Sequence, residues 1–473
     1  MKANIFTEAG NNIGWGHVSR CLALYEELTD RGIKVQLFIY GEFNHHRMLD
    51  SFLYIKADWR QKEFLERFQF ENSFAIVDSY LAEFYTYKYI SDSTLKSLFI
   101  DDTNRLEYPS GIILNPAFDT TSIDYRMDKN KAYLIGKEYT ILRKTFSKKI
   151  LMKTRENVER VLFIDSAVLN NSIIKNLTPF ISDLLKKYKV DIISNLDYEE
   201  ISKNKNLIRH FNLTAEEVKK IISKADIVIA SAGQVINELI ISEKPLIPII
   251  LADNQKYQVE ALVNSFPFIE PIHINNPQIL VNVSSAFKNL LSIENRRKFL
   301  LISKSINRHS TRNVINEFLF NYSNNSISLR LSSIADSQSI LNLSNEPIVR
   351  SSSLRTKQID EITHQKWFNN VLNGDKIILF IVQSVNDDFL GYVKFNRMKN
   401  TNIVGIALNE KIRGQSKSAL ILFQAIKLFR SEYDKKIIKA VIKKENLASF
   451  RLFKKLGFYR FKEEKDKEIY LYD

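Results

Sequence analysis

One cysteine, Cys21, serves a chain of 473 residues. It excludes an internal disulfide and a zinc site built on several thiolates, and it suits a reducing, cytoplasmic compartment. No apolar run approaches the ~18 residues that a membrane-crossing helix needs, so no membrane insertion is expected. The N-terminus lacks a basic stretch followed by an apolar core and a small-residue cleavage site. No Arg-rich tail or nucleic-acid module motif is present, and nucleic acid is not expected as a partner. Glycine is scarce, at 13 residues, while Asn, Ile and Lys abound; this is a bias of the whole chain without a functional reading. No metal site is evident.

The length suggests about three domains, and 26% charged with 45% hydrophobic residues suits a globular chain. The net charge of +14 is uneven: residues 329–473 hold 26 Lys and Arg against 16 Asp and Glu, leaving only +4 for the first 328. A basic C-terminal part suits a cofactor that carries several phosphates.

The most informative stretch is Gly14-Trp15-Gly16-His17-Val18-Ser19-Arg20. It lies between a strand-like opening, residues 3–7, and a helix-like run, residues 21–29. A glycine pair lets the backbone turn sharply and approach a ligand. The helix N-terminus offers free N–H groups to an anion, and a histidine there can act as a general base. A glycine-containing loop with an incidental histidine is the plainer alternative.

Short apolar runs over 35–39, 74–77, 97–100 and 112–114 read as buried parallel strands. They end in polar residues such as Asp78-Ser79-Tyr80, Asp101-Asp102-Thr103 and Asn115-Pro116. In open α/β sheets the ligand lies outside the carboxyl ends of the strands, so these ends and His17 are expected to share one crevice. A second block repeats the alternation, with strands over 160–164, 190–193, 225–230 and 245–250, followed by charged helix over 285–320. Residues 321–326 are polar and turn-rich, and read as a linker. From 327 the pattern becomes α+β: a strand over 328–331, helices to about 373, strands over 377–382, 391–395 and 402–408, a helix from about 416, a strand over 436–442, a helix over 446–456 and a strand over 469–471.

Residues 1–320 resemble the nucleotide-sugar hydrolases of pseudaminic acid biosynthesis, relatives of the B-type glycosyltransferases. The resemblance rests on Gly14-Trp15-Gly16-His17 with Arg20, Asp78 with Tyr80, Phe99-Ile100-Asp101-Asp102 with Asn115, Ser231-Ala232-Gly233-Gln234-Val235-Ile236-Asn237-Glu238, and Asp253-Asn254-Gln255, in that order along the chain. It implies a UDP-linked 2,4-diacetamido-2,4,6-trideoxy hexose as substrate. His17 is the expected base that deprotonates the attacking water, and Asp78 or Asp101 orients His17 or the sugar. Gly16, Arg20, Ser231, Asn237, Glu238, Asn254 and Gln255 are expected to hold the substrate, Glu238 on the ribose hydroxyls. A loop-cap or turn role is the plainer alternative for each aspartate. One departure stands out: Asp165-Ser166-Ala167 replaces the family's glycine turn after the first strand of the second half, where a carboxylate repels a pyrophosphate.

Residues 327–473 resemble the GNAT acetyltransferases, in particular those that act beside such hydrolases. Val404-Gly405-Ile406-Ala407-Leu408, then Arg413-Gly414-Gln415-Ser416-Lys417-Ser418, then Glu445-Asn446-Leu447-Ala448-Ser449-Phe450 with Phe453 and Leu456-Gly457-Phe458 carry it. The resemblance implies acetyl-CoA as cofactor, bound through Arg413, Gly414, Ser416, Ser418 and Asn446, its pyrophosphate cradled by backbone N–H groups. Ser416 and Ser418 stand in place of glycines, and Phe453 in place of a tyrosine that often protonates the leaving thiolate. His364 is a candidate base or sugar contact and Trp367 a candidate stacking surface; helix packing is the alternative for both.

The fold expected is therefore α/β: two Rossmann-like domains of B-type glycosyltransferase architecture over 1–150 and 151–320, plus a C-terminal α+β GNAT domain over 327–473. The function expected is hydrolysis of the UDP-sugar with N-acetylation of its 4-amino precursor, other nonulosonic acid pathway enzymes being possible partners. An acyltransferase carrying a non-catalytic nucleotide-sugar binding module, or a glycosyltransferase, are the alternatives.

Overall fold

The computed structural model describes residues 2–10, 13–70, 72–118, 123, 125, 128, 131–148, 154–165, 172–194, 201, 203–303, 307–320, 327–384, 386–414 and 417–472. The chain divides into two compact units, one of Met1–Thr29 with Ile33–Ile315, the other of Asp30–Gly32 with Asn316–Asp473.

The first unit holds two parallel sheets. Strands β1 (Lys2–Glu8), β2 (Lys34–Tyr40), β3 (Tyr54–Lys56), β4 (Ser73–Asp78), β5 (Lys96–Ile100), β6 (Gly111–Leu114) and β7 (Lys131–Leu134) are ordered β3-β2-β1-β4-β5-β6-β7. Strands β8 (Arg160–Ile164), β9 (Lys189–Ile193), β10 (Leu207–His210), β11 (Ile227–Ser231), β12 (Leu246–Ile250) and β13 (Ile272–His273) are ordered β10-β9-β8-β11-β12-β13. Every ladder in both is parallel. Parallel strands need apolar side chains on both faces, and β4, β11 and β12 are buried along their whole length. In each sheet the strand order reverses beside the first strand, at β1/β4 and at β8/β11. Crevices for ligands open at such switch points.

The second unit is built on one mixed sheet. Strands β14 (Ile327–Leu331), β15 (Ile377–Ser384), β16 (Phe389–Arg397), β17 (Asn402–Leu408), β18 (Ile438–Lys443), β19 (Tyr459–Glu463) and β20 (Lys467–Tyr472) are ordered β14-β15-β16-β17-β18-β20-β19. All neighbours are antiparallel except β17 and β18. That parallel pair touches only at Asn402–Ile438 and Ile403–Lys439, whereas β17 pairs with β16 along its whole length. The two central strands therefore splay apart beyond their first two residues. One face of the sheet is covered by the helix Ser418–Glu432, where Phe395 stacks on Phe429 with centroids 4.2 Å apart.

Two expectations need correction. Residues 285–320 are not one charged helix but three: Ile279–Asn289, Ile293–Ser303 and Ser310–Phe320. The N–H of Leu290 closes the first onto Ala286 and Phe287, and Asn307 accepts from the N–H of His309 at 2.8 Å to turn the chain into the third. Five strands also join those expected, namely β3, β7, β10, β13 and β19. The expected linker 321–326 lies outside the described residues.

Candidate functional site

In the first unit the chain leaves β1 through a tight loop. Gly14 has φ +77° and its N–H donates to the carbonyl of Gly10 at 2.8 Å, a conformation that favours glycine. The helix Gly16–Asp30 begins at once, and a Cβ added to Gly16 would meet nothing within 4 Å, so space is open at its first residue. His17 and Arg20 are one turn apart on this helix, and β1 lies beside β4, so both reach Asp78 at the end of β4.

In the resulting cluster His17, Arg20 and Asp78 are buried, and both oxygens of Asp78 are paired. His17 Nδ1 is 2.6 Å from Asp78 Oδ1. Arg20 grips the same carboxylate with Nε at 2.5 Å and Nη2 at 2.7 Å, and reaches Asp102 with Nη1 at 2.9 Å. Burial alone would push the Asp78 carboxyl up, but Arg20 and His17 outweigh it and hold it at about 2. Burial likewise opposes the charge on Arg20, and Asp78 with Asp102 overcomes it. Asp78 accepts a hydrogen bond from His17 when the ring carries its proton on Nδ1, the nitrogen that Arg20 Nη2 also approaches at 3.2 Å, and Nε2 is then the acceptor. This is the tautomer a general base requires.

A second layer fixes this group. Tyr80 donates to Asp102 Oδ1 at 2.6 Å, and its ring meets His17 edge-on with centroids 4.5 Å apart. Glu8, at the end of β1, accepts from Ser79 Oγ and from the N–H of Tyr80, the latter at 2.6 Å. Asn254 Nδ2 donates to the Tyr80 hydroxyl at 2.9 Å. Glu8 was not singled out from sequence; Ser79 and Asp102 were named only as strand-end residues of the expected crevice, with no role of their own. Asp101 itself turns away: its Oδ1 accepts from the N–H groups of Thr103 and Arg105 at 3.1 and 3.3 Å, as a loop cap does.

The remaining residues expected on this site are tied to the chain. Ser231 is fully buried. Asn237 Nδ2 donates to the carbonyl of Pro116 at 3.3 Å, and Gln255 Oε1 accepts from the N–H of Leu251 at 2.9 Å. Glu238 forms a two-pronged ion pair with Arg143, both contacts 2.6 Å, so its carboxylate is already engaged. Asp165 Oδ2 accepts from Ser172 Oγ at 2.6 Å, and Oδ1 lies 3.4 Å from the N–H of Ile173. A side-chain carboxylate thus stands at the start of the helix Ile173–Leu184, where a phosphate would otherwise meet free N–H groups.

In the second unit, Arg413 and Gly414 follow β17. Arg413 donates through Nε to the carbonyl of Leu408 at 2.6 Å and pairs with Glu346. Gly414 has φ +76° with open space at its Cβ position. Ser418 is the first residue of the helix Ser418–Glu432, whose N-terminus has no side-chain cap. Ser416 lies outside the described residues. Asn446 caps the helix Leu447–Lys455 by accepting from the N–H of Ser449 at 3.0 Å, which accounts for its spacing to the serine. Phe453 is buried against Phe458. His364 is interior: its Nε2 meets the carbonyl and the hydroxyl of Ser337 at 2.9 and 3.1 Å, and burial lowers its pKa. Trp367, one turn on, lies under Lys394 Nζ at 5.5 Å.

Residues 327–459 match the family described as Acetyltransferase (GNAT) domain. The C-terminal part of the chain is accordingly a GNAT acetyltransferase domain, and the fold is mixed α/β, with two parallel sheets preceding it. Solved structures similar to this part include a spermidine N-acetyltransferase from Vibrio cholerae in complex with CoA and spermine, at 15% identity over 31% of this chain and 94% of that one, with a TM-score of 0.28. Another is a GNAT-family acetyltransferase from Bacillus anthracis, at 18% identity over 31% and 94%, also with a TM-score of 0.28. No curated protein matches the chain significantly. Among the described residues no helix is long and apolar enough to cross a membrane, and no group of three or more metal-ligating side chains gathers.

Proposed function

We propose that the chain is a two-activity enzyme acting on one nucleotide sugar. The C-terminal domain acetylates the 4-amino group of a UDP-linked 4-amino sugar, and the first unit, in a B-type glycosyltransferase architecture, then hydrolyses the diacetamido product to release UDP. The observation that carries the hydrolase reading is the His17–Asp78 pair at the β1/β4 switch point, completed by Arg20. Water gives a proton to His17 Nε2 as its oxygen bonds to the anomeric carbon. The bond from that carbon to the phosphate oxygen breaks, and UDP leaves with the electron pair. Gly16 and the first turn of its helix suit the substrate's anionic part.

For the acetyl transfer, the support is the family match together with the splay of β17 from β18 and the uncapped helix at Ser418. Acetyl-CoA would run along β17, its pyrophosphate towards Arg413, Gly414 and the start of the helix at Ser418. Bound there, acetyl-CoA would supply the acetyl group to the amine, with the displaced thiolate taking up the proton that the amine nitrogen loses; Phe453 is in the position where the family often has a proton-donating tyrosine.

A binding module without hydrolytic activity is favoured by one observation, the carboxylate of Asp165 at the start of the helix Ile173–Leu184. Replacing His17 separates the readings. His17→Ala should lower the rate of UDP release by roughly 10²–10⁴-fold and leave acetyl transfer intact. Unchanged UDP release would sink the hydrolase reading at this site.

A further inference from the structure

One strand face of the acetyltransferase domain is built unlike a core. On β16, Val393 and Phe395 turn towards the helix Ser418–Glu432, while Tyr392 and Lys394 take the opposite face. There the Tyr392 hydroxyl meets Ser344 Oγ at 2.9 Å. Lys394 is only partly exposed, yet among the described residues its Nζ has neither a hydrogen bond nor an ion pair; its neighbour is the Trp367 ring at 5.5 Å. Burial, and then Arg350, push its pKa below the ordinary value. A half-buried cation without a carboxylate is costly in a folded chain, and such sites are candidates for function.

Four further observations bear on the same place. Directly across from Lys394 on β17 is Gly405, and a Cβ there would meet nothing within 4 Å, so the sheet opens onto empty space beside the ammonium. Gly405 also lies in the part of β17 that has parted from β18. Arg350, on the helix Pro347–Ser352, is held by carbonyls and by the Ser353 hydroxyl and has no carboxylate partner among the described residues; its Nε is buried without a partner. Lys443 on β18 donates to the carbonyl of Ser351 at 2.9 Å, which ties the helix carrying Arg350 to the far side of the splay.

We propose that Lys394, Arg350, Trp367 and the open floor at Gly405 form the acceptor pocket of this domain, and that it selects an amine bearing a phosphate ester or diphosphate. Lys394 and Arg350 neutralise the phosphate, Trp367 offers its face to the ring beside it, and Gly405 leaves room for the amine to reach the splayed strands. This deepens the acetyltransferase half of the proposed function and rests on it.

The test uses the full chain with acetyl-CoA and three acceptors: the UDP-linked 4-amino sugar, its 1-phosphate and the uncharged free 4-amino sugar. Lys394→Met keeps the length of the side chain and removes its charge. It should raise KM for the two phosphate-bearing acceptors by roughly tenfold or more, the size of one lost charged hydrogen bond. KM for the free sugar and for acetyl-CoA should stay unchanged. Lys394→Arg should recover most of the loss, and Arg350→Gln should repeat it at a second position. Equal effects on charged and uncharged acceptors, or none on either, would overturn the proposal. Transfer to the 1-phosphate with the same Lys394 dependence, but none to the UDP-sugar, would keep the pocket and remove the nucleotide-sugar reading. Transfer to the uncharged amine alone would remove the pocket.

Discussion

Asp78 makes three demands at once: it orients His17, neutralises Arg20 and stays ionised with no access to water. Its carboxyl, held at about 2, lies below its ordinary value, so it contributes stability above the ordinary carboxylate range. That contribution disappears as pH falls from about 4 towards 2. An acid titration followed by circular dichroism should show Asp78→Asn losing less stability over this window than the parent chain; parallel curves would contradict the assigned pairing. Cys21 tests the same cluster. Its Sγ lies 3.7 Å from Asp78 Oδ2, and burial, then Asp78, push the thiol up. It should resist thiol reagents in the native chain and react only on unfolding; fast native labelling would mean that the cluster is open. His17, Arg20 and Asp78 were legible because a loop glycine pair and a strand-end carboxylate each announce themselves along the chain. Glu8, and the pairing of Asp102 with Arg20 and Tyr80, were not, since these depend on which strands become neighbours. Glu238 shows the converse: its motif is plain in sequence, but its partner Arg143 is 95 residues away.

At the level of elements, the strands that periodicity reveals are the interior ones. The five it misses, β3, β7, β10, β13 and β19, are all sheet edges. An edge strand buries little and needs no apolar run, as the fully exposed β19 illustrates. Only β14 among the edges was readable. Within the second unit, two glycines on neighbouring strands should respond oppositely to a methyl group. Gly391 has φ +148°, and a Cβ there would lie 2.3 Å from the carbonyl oxygen of Ala407. Gly391→Ala should therefore destabilise the domain by about 1–3 kcal/mol. Gly405→Ala enters open space and should hold or raise the melting temperature while weakening the acceptor, because Ala suits a strand better than Gly. Calorimetry with acceptor kinetics checks both, and equal destabilisation by the two would contradict the open floor at Gly405. Lys394→Met should also raise the melting temperature, since it removes an unpaired, half-buried charge.

Over the whole chain, the charge asymmetry noted in the sequence has a local counterpart in Lys394 and Arg350, two cations of the more basic unit that have no carboxylate partner among the described residues. On the proposed reading, joining an acetyltransferase to a hydrolase of the acetylated product would keep an intermediate near its next catalyst and raise its effective concentration without any new contact. The two activities should separate by substitution: His17→Ala slows UDP release by roughly 10²–10⁴-fold and spares acetylation, while Lys394→Met raises KM for the acceptor and spares hydrolysis of a sugar already acetylated. The most direct measurement is UDP release from a panel of 2,4-diamino-trideoxy UDP-sugars, with and without acetyl-CoA. The account predicts release from the 4-amino sugar only when acetyl-CoA is present, and release from the diacetamido sugar in either case. Acetylation without UDP release from any sugar in the panel would contradict it and leave the first unit as a binding module.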